Sequence, residues 1–258
     1  MPILTANRLV KVYGGEPGAQ VRALDGVDFA IEPGEFVAIM GPSGSGKTTL
    51  LNILAGLDKP TGGQLVVDGQ SVETLSGDAL ALFRRRKLGF VFQDFNLLDT
   101  LTLAENVALP LTLDKYPARE VHKRVEDVMA RLGLQESQRR YPYEVSGGQQ
   151  QRAAVARAIV HQPAIVLADE PTGNLDSASA RTLLETFSSL HESHGTTLLM
   201  VTHDALAASY SDRVFFIQDG KVYSRLDRDG PRESFFQEIL HTLSVLEVKG
   251  HDIRPTRP

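Results

Sequence analysis

Gly41-Pro42-Ser43-Gly44-Ser45-Gly46-Lys47-Thr48 follows an unbroken apolar run, Phe36–Met40, and opens a helix-like stretch, Lys47–Leu57. Its spacing is G-x-x-x-x-G-K-[ST]. Glycines at these positions let backbone N–H groups turn inward around phosphate oxygens with no Cβ in the way. Lys47 brings a point charge to the β- and γ-phosphates, and Thr48 brings a hydroxyl for Mg²⁺. The N-terminus of the following helix adds its positive end. At average composition the pattern arises by chance in about 1% of chains this long. A strand before it and a helix after it make an incidental glycine turn rarer still. The stretch implies a nucleoside triphosphate site.

Composition narrows the rest. The chain has 258 residues, enough for one or two domains and a sizeable core. It contains no Cys, so disulfides and thiolate metal sites are excluded and a reducing compartment fits. A net charge of −5 argues against a nucleic-acid binder that relies on overall positive charge. No uninterrupted apolar run exceeds five residues, whereas a spanning helix needs about 20. Met1–Tyr13 lacks the apolar core of a signal peptide. The expectation is a soluble, cytosolic, globular protein without internal repeats.

Short apolar or alternating segments predict strands at Ile3–Val12, Phe36–Met40, Gln64–Val67, Gly89–Phe92, Ala164–Ala168, Thr197–Val201 and Val214–Ile217. Helical spacing falls between them. Val121, Val125, Val128, Met129 and Leu132 share one face, with Pro117 before and Gly133 after. Gly147–Val160 and Ser177–His191 read as further helices. Alternation at the start and after residue 163 implies an α/β core, with a helical insertion at about 94–162. Phe235, Ile239, Leu243 and Leu246 predict an amphipathic helix over Arg232–Leu246, and Lys249–Pro258 is expected to fray.

Two further stretches carry chemistry. Ile165-Val166-Leu167-Ala168 ends in Asp169-Glu170, and acids at the C-terminal end of a strand lie where α/β sheets bind ligands. Asp169 suits a Mg²⁺ contact and Glu170 suits a base for an attacking water, a role typically worth about 10²–10⁴-fold. Ser146-Gly147-Gly148-Gln149 precedes an Ala-rich helix and offers a second helix N-terminus to an anion. Taken alone it is also an ordinary helix cap. With the first loop it implies either two ligands or one ligand shared between chains, and the pattern does not choose.

Together these residues resemble the nucleotide-binding subunit of an ATP-binding-cassette (ABC) transporter, over essentially the whole chain. Gly41–Thr48 matches Walker A, and Ile165–Glu170 matches Walker B. Val145-Ser146-Gly147-Gly148-Gln149 resembles the family signature, with Val where Leu is usual. Gln93 matches the Q-loop glutamine, Asn174-Leu175-Asp176 the D-loop, His203 the switch histidine, and Tyr13 the aromatic that stacks on adenine. The resemblance implies a P-loop NTPase (RecA-like) core with an antiparallel β subdomain and an inserted helical subdomain. The cassette would span 1–230, and 231–258 a C-terminal helix and tail. It implies Mg-ATP bound by Tyr13, Gly41, Ser43, Gly44, Ser45, Gly46, Lys47, Thr48, Thr49 and Gln93, with Thr48, Gln93 and Asp169 on the metal. Glu170, His203 and Lys47 would be catalytic.

In this family one chain's signature closes over its partner's nucleotide. Ser146, Gly147, Gly148, Gln149 and Asp176 would therefore act across a homodimer, with a membrane permease docked near Gln93 at the cytoplasmic face. A narrower likeness lies in Phe92–Thr102, Glu105–Leu111, Thr202–Tyr210 and Ser234–Leu240. These resemble the lipoprotein-release and macrolide-export branch, and within it the bacitracin-resistance (Bce-type) ATPases, which implies a sensor histidine kinase reached through the permease. The rivals are a soluble ABC-type ATPase acting on nucleic acid or ribosomes and a P-loop kinase. A single Walker A, the lack of long heptad runs and the second glycine element weigh against them.

Overall fold

The computed structural model describes residues 1–14 and 20–251, with the backbone alone from residue 247. Leu4–Tyr13 (β1) and Val21–Ile31 (β2) pair antiparallel, and Phe36–Met40 (β3) leaves them for a second sheet. Lys47–Leu54 (α1) follows the glycine loop. Gly62–Val67 (β4) and Gln70–Ser71 (β5) return to the first sheet, ordered β2-β1-β4-β5. Gly77–Lys87 (α2) leads into Leu88–Val91 (β6). Leu103–Leu113 (α3), Ala118–Arg131 (α4) and Gly147–Ile159 (α5) then fill the stretch read as a helical insertion. Ile165–Asp169 (β7), Ser177–His194 (α6), Leu198–Val201 (β8), Ala205–Ala208 (α7), Arg213–Gln218 (β9) and Lys221–Asp227 (β10) complete the second sheet, and Arg232–His251 (α8) closes the described chain. The second sheet is ordered β10-β9-β3-β8-β7-β6, parallel except for β10.

β3 explains its own sequence. All five residues are buried because both faces are covered. Phe36, Ala38 and Met40 pack toward the helices, while Val37 and Ile39 pack toward the first sheet. A parallel strand covered on both sides reads as a continuous apolar run. Leu50, Leu51, Ile53 and Leu54 of α1 fill the core between the two sheets. The helices pack on the other face, where Val125, Val128 and Met129 of α4 are buried as the spacing predicts.

Four expectations need correction. α1 ends at Leu54 rather than Leu57, because the chain turns at Gly56 with φ 63°. α6 runs on to His194, where Gly195 caps it in the left-handed conformation. α8 continues to His251, past Leu246 and into the segment expected to fray; residues 252–258 lie outside the described residues. β2, β5, α2, α7 and β10 were not anticipated, whereas α3 falls in the stretch expected to be helical without having been placed. Among the described residues no helix is long and apolar enough to cross a membrane.

Candidate active site

The glycine loop joins the end of β3 to α1 and runs tight against neighbouring backbone. A Cβ on Gly41 would collide with the carbonyl oxygen of Ile217 and come within 2.8 Å of Ser45 Oγ. Gly46 caps α1 at φ 104°, and a Cβ there would lie 2.5 Å from Ala23 O. Lys47 Nζ donates to Gly41 O and Pro42 O, each at 2.9 Å. Burial pulls the lysine's pKa down, against the opposing charges of Glu170 and Asp169. Ser45 Oγ is buried with no hydrogen-bond partner, an orphaned donor inside the loop. That orphan and the glycine-lined cradle fit a phosphate chain.

Asp169 ends β7, with β8 lying between it and β3. Burial pushes its carboxyl up, Glu170's charge adds to this, and Lys47 opposes both. Among the described residues no cluster of three His, Cys, Asp or Glu could hold a metal. Mg²⁺ needs no such cluster, since one carboxylate, one hydroxyl and nucleotide phosphates satisfy it. Asp169 and the exposed Thr48 would be the protein donors of such a site.

Glu170 has φ 44°, a left-handed backbone uncommon for a side chain with a Cβ. Its N–H still pairs with Val201 O at 2.9 Å, so the strain falls where the chain leaves the sheet. His203 Nδ1 donates to Glu170 Oε1 at 2.9 Å, and the His203 N–H reaches Oε2 at 3.4 Å. The imidazole is 75% exposed while the carboxylate is 20% exposed. The acid is thus oriented and sheltered, and the ring faces outward.

Gln93 follows β6. Its Nε2 donates to Asn174 Oδ1 at 3.0 Å, and Asn174 Nδ2 donates to Asp94 Oδ1 at 2.7 Å. Gln151 was missed by sequence reasoning. It is fully buried in α5 and donates to Pro171 O at 2.6 Å and Phe92 O at 3.2 Å, tying the Gln93 segment to the turn after Glu170. A polar residue within an Ala-rich helix was its only signal.

Ser146 caps α5: Gln149 N–H donates to Ser146 Oγ at 3.3 Å, and Ser146 N–H donates to Gln149 Oε1 at 3.0 Å. Gly148 packs on α6, where a Cβ would sit 2.8 Å from Ser179 Oγ. Gly147 faces Phe95 and Leu175. Among the described residues no hydrogen bond joins Ser146–Gln149 to the loop Gly41–Thr48. Asp176 caps α6, accepting from Ala178 N, Ser179 N and Ser179 Oγ, and the Ser179 hydroxyl leads in holding its carboxyl below the usual range. Tyr13 ends β1, its ring 40% exposed and its hydroxyl donating to Asp58 Oδ2 at 2.7 Å.

A cleft of about 470 Å³ lies beyond Gln93, lined by Leu57, Phe90, Phe92, Leu109 and Leu113 together with Arg84 and Arg157. Among the described residues neither arginine has a carboxylate partner. Arg84 donates to Gly56 O, and Arg157 donates to Phe95 O and Asn96 O.

Comparison with known proteins accounts for this arrangement. The family described as ABC transporter matches residues 24–173. An uncharacterized ABC transporter ATP-binding protein, YvcR of Bacillus subtilis, is 52% identical over the full length of both chains. The bacitracin export ATP-binding protein BceA of Halalkalibacterium halodurans is 48% identical, covering 95% of this chain and 97% of that one. The macrolide export ATP-binding/permease protein MacB of Hyphomonas neptunium is 47% identical over 86% of this chain but only 34% of its own length. Among solved structures, the ATP-binding cassette MJ0796 in a dimeric post-hydrolysis state bound to ADP and Pi aligns with a TM-score of 0.78 at 40% identity. It covers 88% of this chain and 100% of that one. Phosphate loop, strand-end acids and outward imidazole thus sit on the α/β scaffold of that cassette, and the chain is an ATP-hydrolysing member of the ABC transporter ATP-binding family.

Proposed function

We propose that two copies of this chain power a membrane permease of the peptide-antibiotic resistance type. The observation that carries the dimer is the division of the site. Lys47 lies in the field of Asp169 and Glu170, and Glu170 bonds His203, while among the described residues the Ser146–Gln149 helix end makes no hydrogen bond to any of them. The dimeric state described for the MJ0796 cassette supports the same reading. Lys47, Thr48, Thr49 and the backbone N–H groups of Gly41 and 43–46 grip the phosphates, and Tyr13 lies under the base. Thr48, Asp169 and Gln93 would hold Mg²⁺, which when bound would supply positive charge against the phosphate oxygens. Glu170, oriented by His203, takes the proton of the attacking water, and His203 steadies the charge that develops. The partner's helix end at Ser146 and Gly148 caps the γ-phosphate. Loss of that phosphate releases the seam, so ATP biases a two-state element.

The cleft beyond Gln93 receives a cytoplasmic helix of the permease. Its leucines and phenylalanines suit an apolar face, and the two uncompensated arginines suit a carboxylate on the same helix. Extent of match, not identity, supports the peptide-resistance assignment over macrolide export: at nearly equal identity, the bacitracin export subunit matches 95% of this chain and 97% of its own length, against 86% and 34% for the macrolide export protein. Co-expression with a permease of the bacitracin-resistance type tests it. The pair should copurify from membranes, raise the bacitracin tolerance of a sensitive host and leave macrolide tolerance unchanged. Macrolide protection without bacitracin protection would reverse the assignment.

A further inference from the structure

The exposed ring of Tyr13 is pinned from two sides. Its hydroxyl donates to Asp58 Oδ2 at 2.7 Å. Lys11 Nζ donates to the other oxygen, Asp58 Oδ1, at 2.6 Å and to Lys59 O at 2.8 Å. The same ammonium lies 4.8 Å from the centroid of the Tyr13 ring, over one face. Burial pushes the Asp58 carboxyl up, but hydrogen bonds from Lys11 and Tyr13 outweigh it, so the carboxylate stays charged.

Asp58 is itself anchored. Its N–H and that of Leu57 both bond Asn52 O, at 3.1 and 2.9 Å, at the end of α1. Thr61 ties the same segment to β1, its hydroxyl accepting from Val12 N at 3.0 Å and its N–H donating to Val10 O at 2.8 Å. α1 begins at Lys47, so one short helix connects the phosphate loop to the support of the ring. A Tyr at a strand end otherwise samples several rotamers, and freezing one on binding weakens affinity. A cation already over one face leaves the other for a base.

We propose that Asp58 and Lys11 are positioning residues that hold Tyr13 as a preformed platform for the nucleotide base. The phosphates would be gripped independently. The proposal rests on Tyr13 stacking on the base, and it adds what fixes the ring before the nucleotide arrives. Neither residue need touch the nucleotide, since each acts through the phenol.

The test separates base from phosphate recognition. Radiolabelled ATP binding and its displacement by inorganic tripolyphosphate are measured for Asp58→Asn, Tyr13→Phe, the double variant and Tyr13→Ala. Asp58→Asn and Tyr13→Phe should each weaken ATP binding about 2- to 12-fold, the range expected for freezing one side chain. Tripolyphosphate affinity should be unchanged, and KM for ATP should rise while kcat holds. The double variant should be no weaker than Asp58→Asn alone, since Tyr13→Phe removes only a hydrogen bond to the group that Asp58→Asn has already altered. Unchanged ATP affinity in Asp58→Asn, or a parallel loss of tripolyphosphate affinity and melting temperature, would overturn the proposal. If Tyr13→Ala leaves ATP affinity unchanged, the base reading of Tyr13 fails as well.

Discussion

Glu170 combines a left-handed backbone with a carboxylate clamped by His203 across the β7–β8 step. The clamp fixes where its free lone pair points, which is what a base for water requires. Glu170→Gln keeps the shape and removes the basicity. It should leave ATP affinity unchanged and lower the hydrolysis rate by about 10²–10⁴-fold, read as phosphate release at saturating ATP. A rate close to the unmodified protein's would remove Glu170 from the role. Asp169, Glu170 and the lysine loop were readable from sequence because each lies at the end of a short apolar strand or at a helix start. The bond between Glu170 and His203 was not, because it joins residues 33 apart through the order of parallel strands. Gln151, Lys11 and Asp58 were invisible for the same reason, since their partners lie in other elements.

At the scale of elements, α5 is held on one side by α6 and on the other by β6. Gly148 packs directly on Ser179 of α6. Gly148→Ala places a methyl 2.8 Å from Ser179 Oγ and 3.1 Å from Ser179 Cβ. It should lower stability by about 1–3 kcal/mol in urea unfolding. Adding Ser179→Ala should restore part of the loss, and an equal midpoint for the single and double variants would show that the contact is relieved elsewhere.

In the turn just past the other end of α5 lies His161, whose ring contacts Leu88 O at 3.1 Å and whose Nδ1 is buried without a partner among the described residues. Burial holds its pKa below the ordinary value despite the opposing effects of Leu88 O and Asp114. The unfolded chain therefore takes up this proton first as pH falls through about 6.5. Stability from the neutral ring is present above that pH and lost progressively down to the lowered folded value. His161→Gln should flatten the decline in melting temperature between about pH 7 and 5, and an unchanged slope would exclude the histidine.

Element legibility followed burial. β3, β7 and β8 are covered on both faces and read as apolar runs, and α4 shows its stripe plainly. β2 has Asp25, Gly26 and Asp28 within it, and α2 buries Phe83 alone, so neither carried a pattern strong enough to read.

For the molecule as a whole, the two anion-directed helix ends are the organising fact. Gly46 caps α1 and α5 begins at Gly147, yet among the described residues it is Lys47 at the start of α1 that lies in the field of Asp169 and Glu170. Ser146→Arg changes an exposed cap remote from the loop's own hydrogen bonds, so ATP binding to one chain should survive while hydrolysis stops. The corresponding Lys47→Ala loses the phosphate contact in its own chain. Mixing these two inactive proteins tests the shared site most directly, because a mixed dimer pairs an intact loop from one protomer with an intact signature from the other. The account predicts that ATP hydrolysis returns on mixing and rises with total protein concentration. A mixture as inactive as either parent, although mixed dimers form, would contradict it.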